Sequence, residues 1–172
     1  EVLIPSPYWV SYPPLVQVTD ATPVYLETTE ATGFKVTPQQ LRKALTARSR
    51  LLVLNSPSNP TGAVYSRDEL QQLGEVILSH PQLMVLSDEI YEHLVFAPHQ
   101  HHSLAALSPE LCRRTIVVSG VSKTYAMTGW RIGYLAGPAE VAEAVDRFQS
   151  HSTSNPSSIS QYAALAALTG PQ

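Results

Sequence analysis

Three short apolar runs, Leu51-Leu52-Val53-Leu54, Leu83-Met84-Val85-Leu86 and Thr115-Ile116-Val117-Val118, constrain the fold more than anything else in the chain. None alternates apolar with polar residues, which is how strands buried on both faces of a parallel sheet read. Before the second run, Ser66-Arg67-Asp68-Glu69 forms a capping box, and Leu70, Leu73, Ile77 and Leu78 continue it as the buried stripe of a helix ending near His80-Pro81. Strands alternating with helices of this length predict crossover units and a mostly parallel sheet.

The flanking stretches extend the pattern. Val2-Leu3-Ile4 reads as a strand that stops at Pro5, and Val10 to Val18 as a short helix interrupted by Pro13-Pro14. Pro23 to Glu27 is a further strand and Thr28 to Val36 a polar loop. Thr37-Pro38-Gln39-Gln40 is a second capping box, opening a helix to about Ala47. Ser108-Pro109 starts a short helix holding Cys112, read as structural. Ile132 to Ala136 is a strand candidate, and helices are expected over 139–149 and 160–168. No repeat or low-complexity tract divides what reads as one domain.

A chain of 172 residues, 44% apolar and 15% charged, suffices for one globular core. The net charge of -3 offers no electrostatic case for a nucleic acid or membrane partner. One cysteine permits no internal disulfide, in keeping with a reducing compartment. No apolar run has the length of a membrane span, and the first residues lack a signal-peptide pattern. The chain begins without Met and is in a strand at once, so the expectation is an excised or incomplete chain.

The strand ends collect the chemistry. Lys123 lies on the loop leaving Thr115–Val118, where a lysine has its stem in protein and its amine at a cleft, the setting of a Schiff-base lysine. Arg131 offers a fork of donors suited to a phosphate, and Ser119, Gly120, Ser122 and Gly129 let backbone and hydroxyls approach an anion. Read alone, the same stretch is more readily a loop with a solvated Lys and Arg. Trp9, just past the first strand, is a candidate to stack on a flat ring or a core aromatic. Asn59, in a Pro-rich turn, is either a donor to a ligand oxygen or part of an Asx-turn, while Asn55 is read as bonding backbone. Asp88 is a helix N-cap or the partner of a buried cation. His99, His101 and His102 cluster, but no carboxylate or cysteine stands at ligand spacing, so no metal is expected and the segment reads as a surface loop.

Four segments in order, P-Y-W, S-N-P-T-G, S-D-E-I-Y and S-K-T-Y-A-M-T-G-W-R, resemble those of the fold-type I pyridoxal-phosphate aminotransferases of class I/II, in particular the bacterial-type aspartate aminotransferase group. The resemblance implies a three-layer αβα fold with a mostly parallel sheet. It implies that Lys123 carries pyridoxal 5'-phosphate as an internal aldimine and is the catalytic base then acid. It further implies that Arg131 holds the cofactor's phosphate, with Ser119 and Ser122 nearby, although family members often have Asn where Ser119 stands. Asp88 would partner the pyridinium nitrogen, and Tyr91 and Asn59 the phenolic oxygen. Trp9 would lie against the ring, and Trp9 and Asn59 near substrate. The expected reaction moves an amino group from an amino acid, aspartate first, to a 2-oxo acid such as 2-oxoglutarate, in a cytoplasmic homodimer.

On the same resemblance, residues 1–172 are the central part of the cofactor-binding large domain, with an N-terminal segment and a C-terminal small domain absent. Weak turnover, or an inactive fragment, is then expected of these residues alone. A carbon-sulfur lyase using the same segments, or the sensor domain of a transcription regulator built on this fold, are the alternatives.

Overall fold

The apolar runs become neighbours in one six-stranded sheet. In the computed structural model, which describes residues 1–171, the strands are β1 Val2–Ser6, β2 Pro23–Glu27, β3 Leu51–Asn55, β4 Met84–Asp88, β5 Thr115–Gly120 and β6 Gly133–Ala136. Their spatial order is β2-β1-β3-β4-β5-β6. The first five are parallel, and β6 pairs antiparallel with β5, Gly120 facing Gly133. Helices α1 Tyr12–Gln17, α2 Pro38–Ala44, α3 Arg67–Ser79 and α4 Pro109–Cys112 connect them, and α5 Ala139–Ser152 and α6 Ser158–Thr169 follow β6.

Both sheet faces are apolar, as the unalternating runs require. Leu3, Leu52, Leu54 and Val85 point to one side, where they meet Leu41 of α2, Leu70, Leu73 and Ile77 of α3, and Leu111 of α4. Val2, Ile4 and Val53 point to the other and meet Tyr12 and Val16 of α1. Each fully buried leucine or isoleucine contributes about 1.5–3 kcal/mol through burial. Both predicted capping boxes close: the Thr37 hydroxyl accepts from the Gln40 amide and the Ser66 hydroxyl from the Glu69 amide, and each N3 side chain reaches back. Along α5 and α6, Phe148, Ile159, Tyr162 and Leu165 are exposed.

Several local expectations are corrected. Strand β1 runs through Pro5 to Ser6, because beyond Leu3 it is in register with β2 alone and a proline fits where part of the backbone has no ladder partner. Pro13 and Pro14 begin α1 instead of interrupting a helix, since the first turn needs no amide donors. Helix α2 ends at Ala44, and a turn of 3-10 helix, Glu30–Thr32, interrupts the predicted loop. Cys112 is exposed at the end of α4 and has no packing role; its neighbour Leu111 carries the burial.

The β5–β6 pairing brings two backbones unusually close. A Cβ on Gly120 would stand 3.0 Å from the Ile132 carbonyl oxygen and 3.1 Å from the Gly133 Cα. Only glycine allows the strands to close here, at the root of the loop carrying Lys123.

Candidate active site

The carboxyl ends of β1, β3, β4 and β5 open onto one cavity of about 290 Å³, where open α/β sheets hold ligands. Trp9, Asn59, Asp88, Tyr91, Ser122, Lys123 and Arg131 all line it, together with Tyr12, Asn55 and Thr128. Residues from 9 to 131 are thus gathered at one sheet edge by the parallel order.

Asp88 is the most firmly held of them. Its Oδ2 accepts from the Tyr12 hydroxyl at 2.6 Å, its Oδ1 from the Ile90 amide at 3.2 Å, and its carbonyl oxygen from Asn55 Nδ2 at 2.9 Å. The Ile90 bond is the local turn that N-capping residues make. Among the described residues no ion pair reaches Asp88, so its carboxylate is fixed by neutral donors and left facing the cavity. Burial, and then the Asp88 charge beside it, hold the Tyr12 phenol well above the usual tyrosine range. Tyr12 therefore stays protonated and serves as a donor.

Across the cavity, Lys123 Nζ lies 5.7 Å from the centre of the Tyr91 ring. Arg131 has a left-handed backbone, φ 54°, and its guanidinium donates to the Thr128 carbonyl at 3.0 Å. The Thr128 hydroxyl in turn donates to the Ser122 carbonyl at 3.0 Å, drawing the two ends of the lysine loop together. Asn55 Oδ1 accepts from the Asn59 amide at 2.7 Å, so Asn55 bonds backbone as expected and sets the turn that presents Asn59. Trp9 is 41% exposed and meets Tyr12 edge to face at 5.4 Å. It is an aromatic surface at the mouth and not a core residue.

The full length of the chain, residues 1–172, matches the family described as Aminotransferase class I and II. The chain belongs to that family. It is 55% identical to the aspartate aminotransferase of Geobacillus stearothermophilus, over all of this chain and 44% of that protein. It is also 55% identical to the aspartate/prephenate aminotransferase of Cereibacter sphaeroides, over all of this chain and 43% of that one. The crystal structure of the aspartate aminotransferase from Rhizobium meliloti superposes with a TM-score of 0.97 at 48% identity, covering 99% of this chain and 43% of that chain. An aromatic aminotransferase from Pyrococcus horikoshii superposes at 0.94 with 41% identity, covering 98% and 45%. The chain thus spans less than half the length of these relatives. The mostly parallel six-stranded sheet is that of the αβα fold these aminotransferases share.

One predicted site residue of this aminotransferase chain does not reach the cavity. Ser119 is one position past Val118, which lines it, so strand alternation sends Ser119 to the opposite face. There it is buried and its hydroxyl donates to Glu92 Oε1 at 2.9 Å. The histidine loop also differs from expectation. Carboxylates do come near His101, from the segment after β4: ligand atoms of Glu89, Glu92 and His101 lie within 4.8 Å of one another.

Tyr12 and Thr128 are cavity residues that sequence reasoning missed, and Tyr12 is the one that touches Asp88. Its signal was its place three residues after Trp9, one helical turn on, next to prolines that start a helix. Tyr12→Phe removes the shortest hydrogen bond to Asp88 while keeping the ring. Bonds to charged groups are worth about 1.5–3 kcal/mol. We expect the variant to lose about that much folding stability, read as a lowered melting temperature in thermal unfolding.

Proposed function

We propose that the protein is a pyridoxal-phosphate-dependent aminotransferase that moves an amino group between aspartate and a 2-oxo acid. The observation that carries this reading is the convergence of one amine, one uncompensated carboxylate and one guanidinium on a single cavity, at Lys123, Asp88 and Arg131. That donor set fits the cofactor: an amine for its aldehyde, an anion for its ring nitrogen and a fork of donors for its phosphate. The names of the relatives support aspartate as the amino donor.

When bound, pyridoxal phosphate supplies an electron sink for the substrate's α-carbon. Lys123 is the residue that would bond it covalently and, released by the substrate amine, take the α-proton as base and return it as acid. Asp88, held by Tyr12, would keep a proton on the ring nitrogen. Tyr91 and Asn59 would hold the phenolic oxygen, and Trp9, at the mouth, would exclude water. Arg131, with Ser122, would hold the phosphate. In the same reading the enzyme works in the cytoplasm as a homodimer, which the exposed apolar side chains of α5 and α6 support. No helix among the described residues is long and apolar enough to cross a membrane.

The test is borohydride reduction of the protein with pyridoxal phosphate, then peptide mass mapping. A pyridoxyl adduct confined to Lys123 is expected. Equal labelling of Lys35, Lys43 and Lys123 would sink the reading. Consumption of aspartate with 2-oxoglutarate, compared with an aromatic amino acid, then separates the substrate classes that the two kinds of relatives represent.

A further inference from the structure

Directly after Asp88 the chain carries a second carboxylate, which the cavity does not use. Glu89 is 3% exposed, and its side chain turns toward Ser87, on the sheet face away from the cavity. Its Oε1 accepts from the Ser87 and Ser103 hydroxyls, each at 2.8 Å, and its Oε2 lies 3.0 Å from His101 Nε2. With a carboxylate as partner, Nε2 is the protonated ring nitrogen and donates. His101 Nδ1 is buried without a hydrogen-bond partner among the described residues.

Three donors satisfy a buried carboxylate that would otherwise be costly. They engage both of its oxygens, and a Glu92 carboxylate oxygen lies within 4.8 Å of a Glu89 oxygen and a His101 ring nitrogen. What the bonds accomplish is mechanical. Ser103 and His101 belong to the loop that follows Tyr91, and Ser87 belongs to β4, so Glu89 ties the loop back onto the strand end. Two further bonds join this turn to the lysine strand: the Glu89 amide donates to the Val118 carbonyl at 2.8 Å, and Ser119 reaches Glu92.

We propose that Glu89 and His101 are positioning residues, a buried clasp behind the sheet that fixes the turn from Asp88 to Tyr91 and so aims both side chains into the cavity. The proposal rests on the reading of that cavity as the pyridoxal-phosphate site. Outer partners of this kind change ligand affinity by about 10- to 100-fold without touching the ligand.

The Ile90 amide gives a readout that needs no cofactor, because it donates to Asp88 Oδ1 and its hydrogen exchange reports where that carboxylate sits. In Glu89→Ala, exchange at Ile90 and Tyr91 should rise about tenfold or more while residues 51–55 keep their protection, and the Kd for pyridoxal phosphate should rise by about tenfold or more. Glu89→Gln should restore both to within about threefold. Its oxygen still accepts from the serines, and its amide can donate to the other tautomer of His101. His101→Phe keeps an aromatic ring, removes the donor, and tests the same clasp should Glu89→Ala not fold. The proposal is overturned if the Kd stays at the wild-type value, if exchange at Ile90 is unchanged, or if protection falls equally across the sheet. Should the wild-type protein take up no pyridoxal phosphate at Lys123, the cofactor reading fails on its own, and the Ile90 exchange still decides whether the clasp holds the turn.

Discussion

Lys123→Ala is expected to leave the fold intact and abolish both borohydride-fixed labelling and measurable transamination. Lys123 is exposed at the cavity, so truncation removes little packing and the melting temperature should move by no more than a surface substitution does. Its chemistry has no substitute. Lys35 lines a different cavity and is paired with Glu69 at 2.5 Å, and Lys43 lies on α2. On the proposed function, in which Lys123 is both nucleophile and acid-base group, turnover should fall by more than about 10⁴-fold, since proton transfer alone contributes roughly 10²–10⁴. Added methylamine should recover part of the proton-transfer rate in the variant, as a free amine replaces the tethered one. Turnover within tenfold of wild type would remove Lys123 from the mechanism.

Asp88→Asn should separate activity from stability. Asparagine keeps the shape and an acceptor for the Ile90 amide but removes the charge, so on the proposed function the cofactor's ring nitrogen would lose its counter-ion. Losing one preorganised electrostatic partner costs about 10²–10³ in turnover. The cofactor-free protein should meanwhile hold its melting temperature or gain slightly, because among the described residues no cation pairs with the part-buried Asp88 carboxylate. A carboxylate kept at some cost to the empty fold is what a ligand-directed charge looks like. Steady-state kinetics and thermal melts on the same samples check this. A melt lowered in step with activity would mean that Asp88 is a structural N-cap.

Much of this arrangement was legible in residue patterns because its causes are local. Unalternating apolar runs mark strands covered on both faces, and the Thr37 and Ser66 caps have a spacing that little except a helix start explains. The cavity residues could be placed because they follow strand ends. What escaped depended on partners distant in sequence. Tyr12 looked like one aromatic among prolines until Asp88, 76 positions on, was set against it. Ser119 carried the right chemistry for an anion, but its face is decided by strand parity relative to Val118. His101 appeared to lack carboxylate company because Glu89 and Glu92 come from across the following loop. The direction of β6 also lay beyond the pattern, since four apolar residues look alike whichever way they run.

The reversal at β6 bears on how such a site can change over time. A parallel β6 would have required the chain to leave Gly120, traverse a helical layer and return, tying the spacing of Lys123 and Arg131 to the packing of that layer. With the hairpin, amine and guanidinium share one excursion, residues 121–132, whose two feet are the facing Gly120 and Gly133. Their separation is a property of a self-contained cassette. Helices elsewhere can slide, lengthen or be exchanged while the two groups keep their distance, whereas a single inserted residue between the feet would alter it at once.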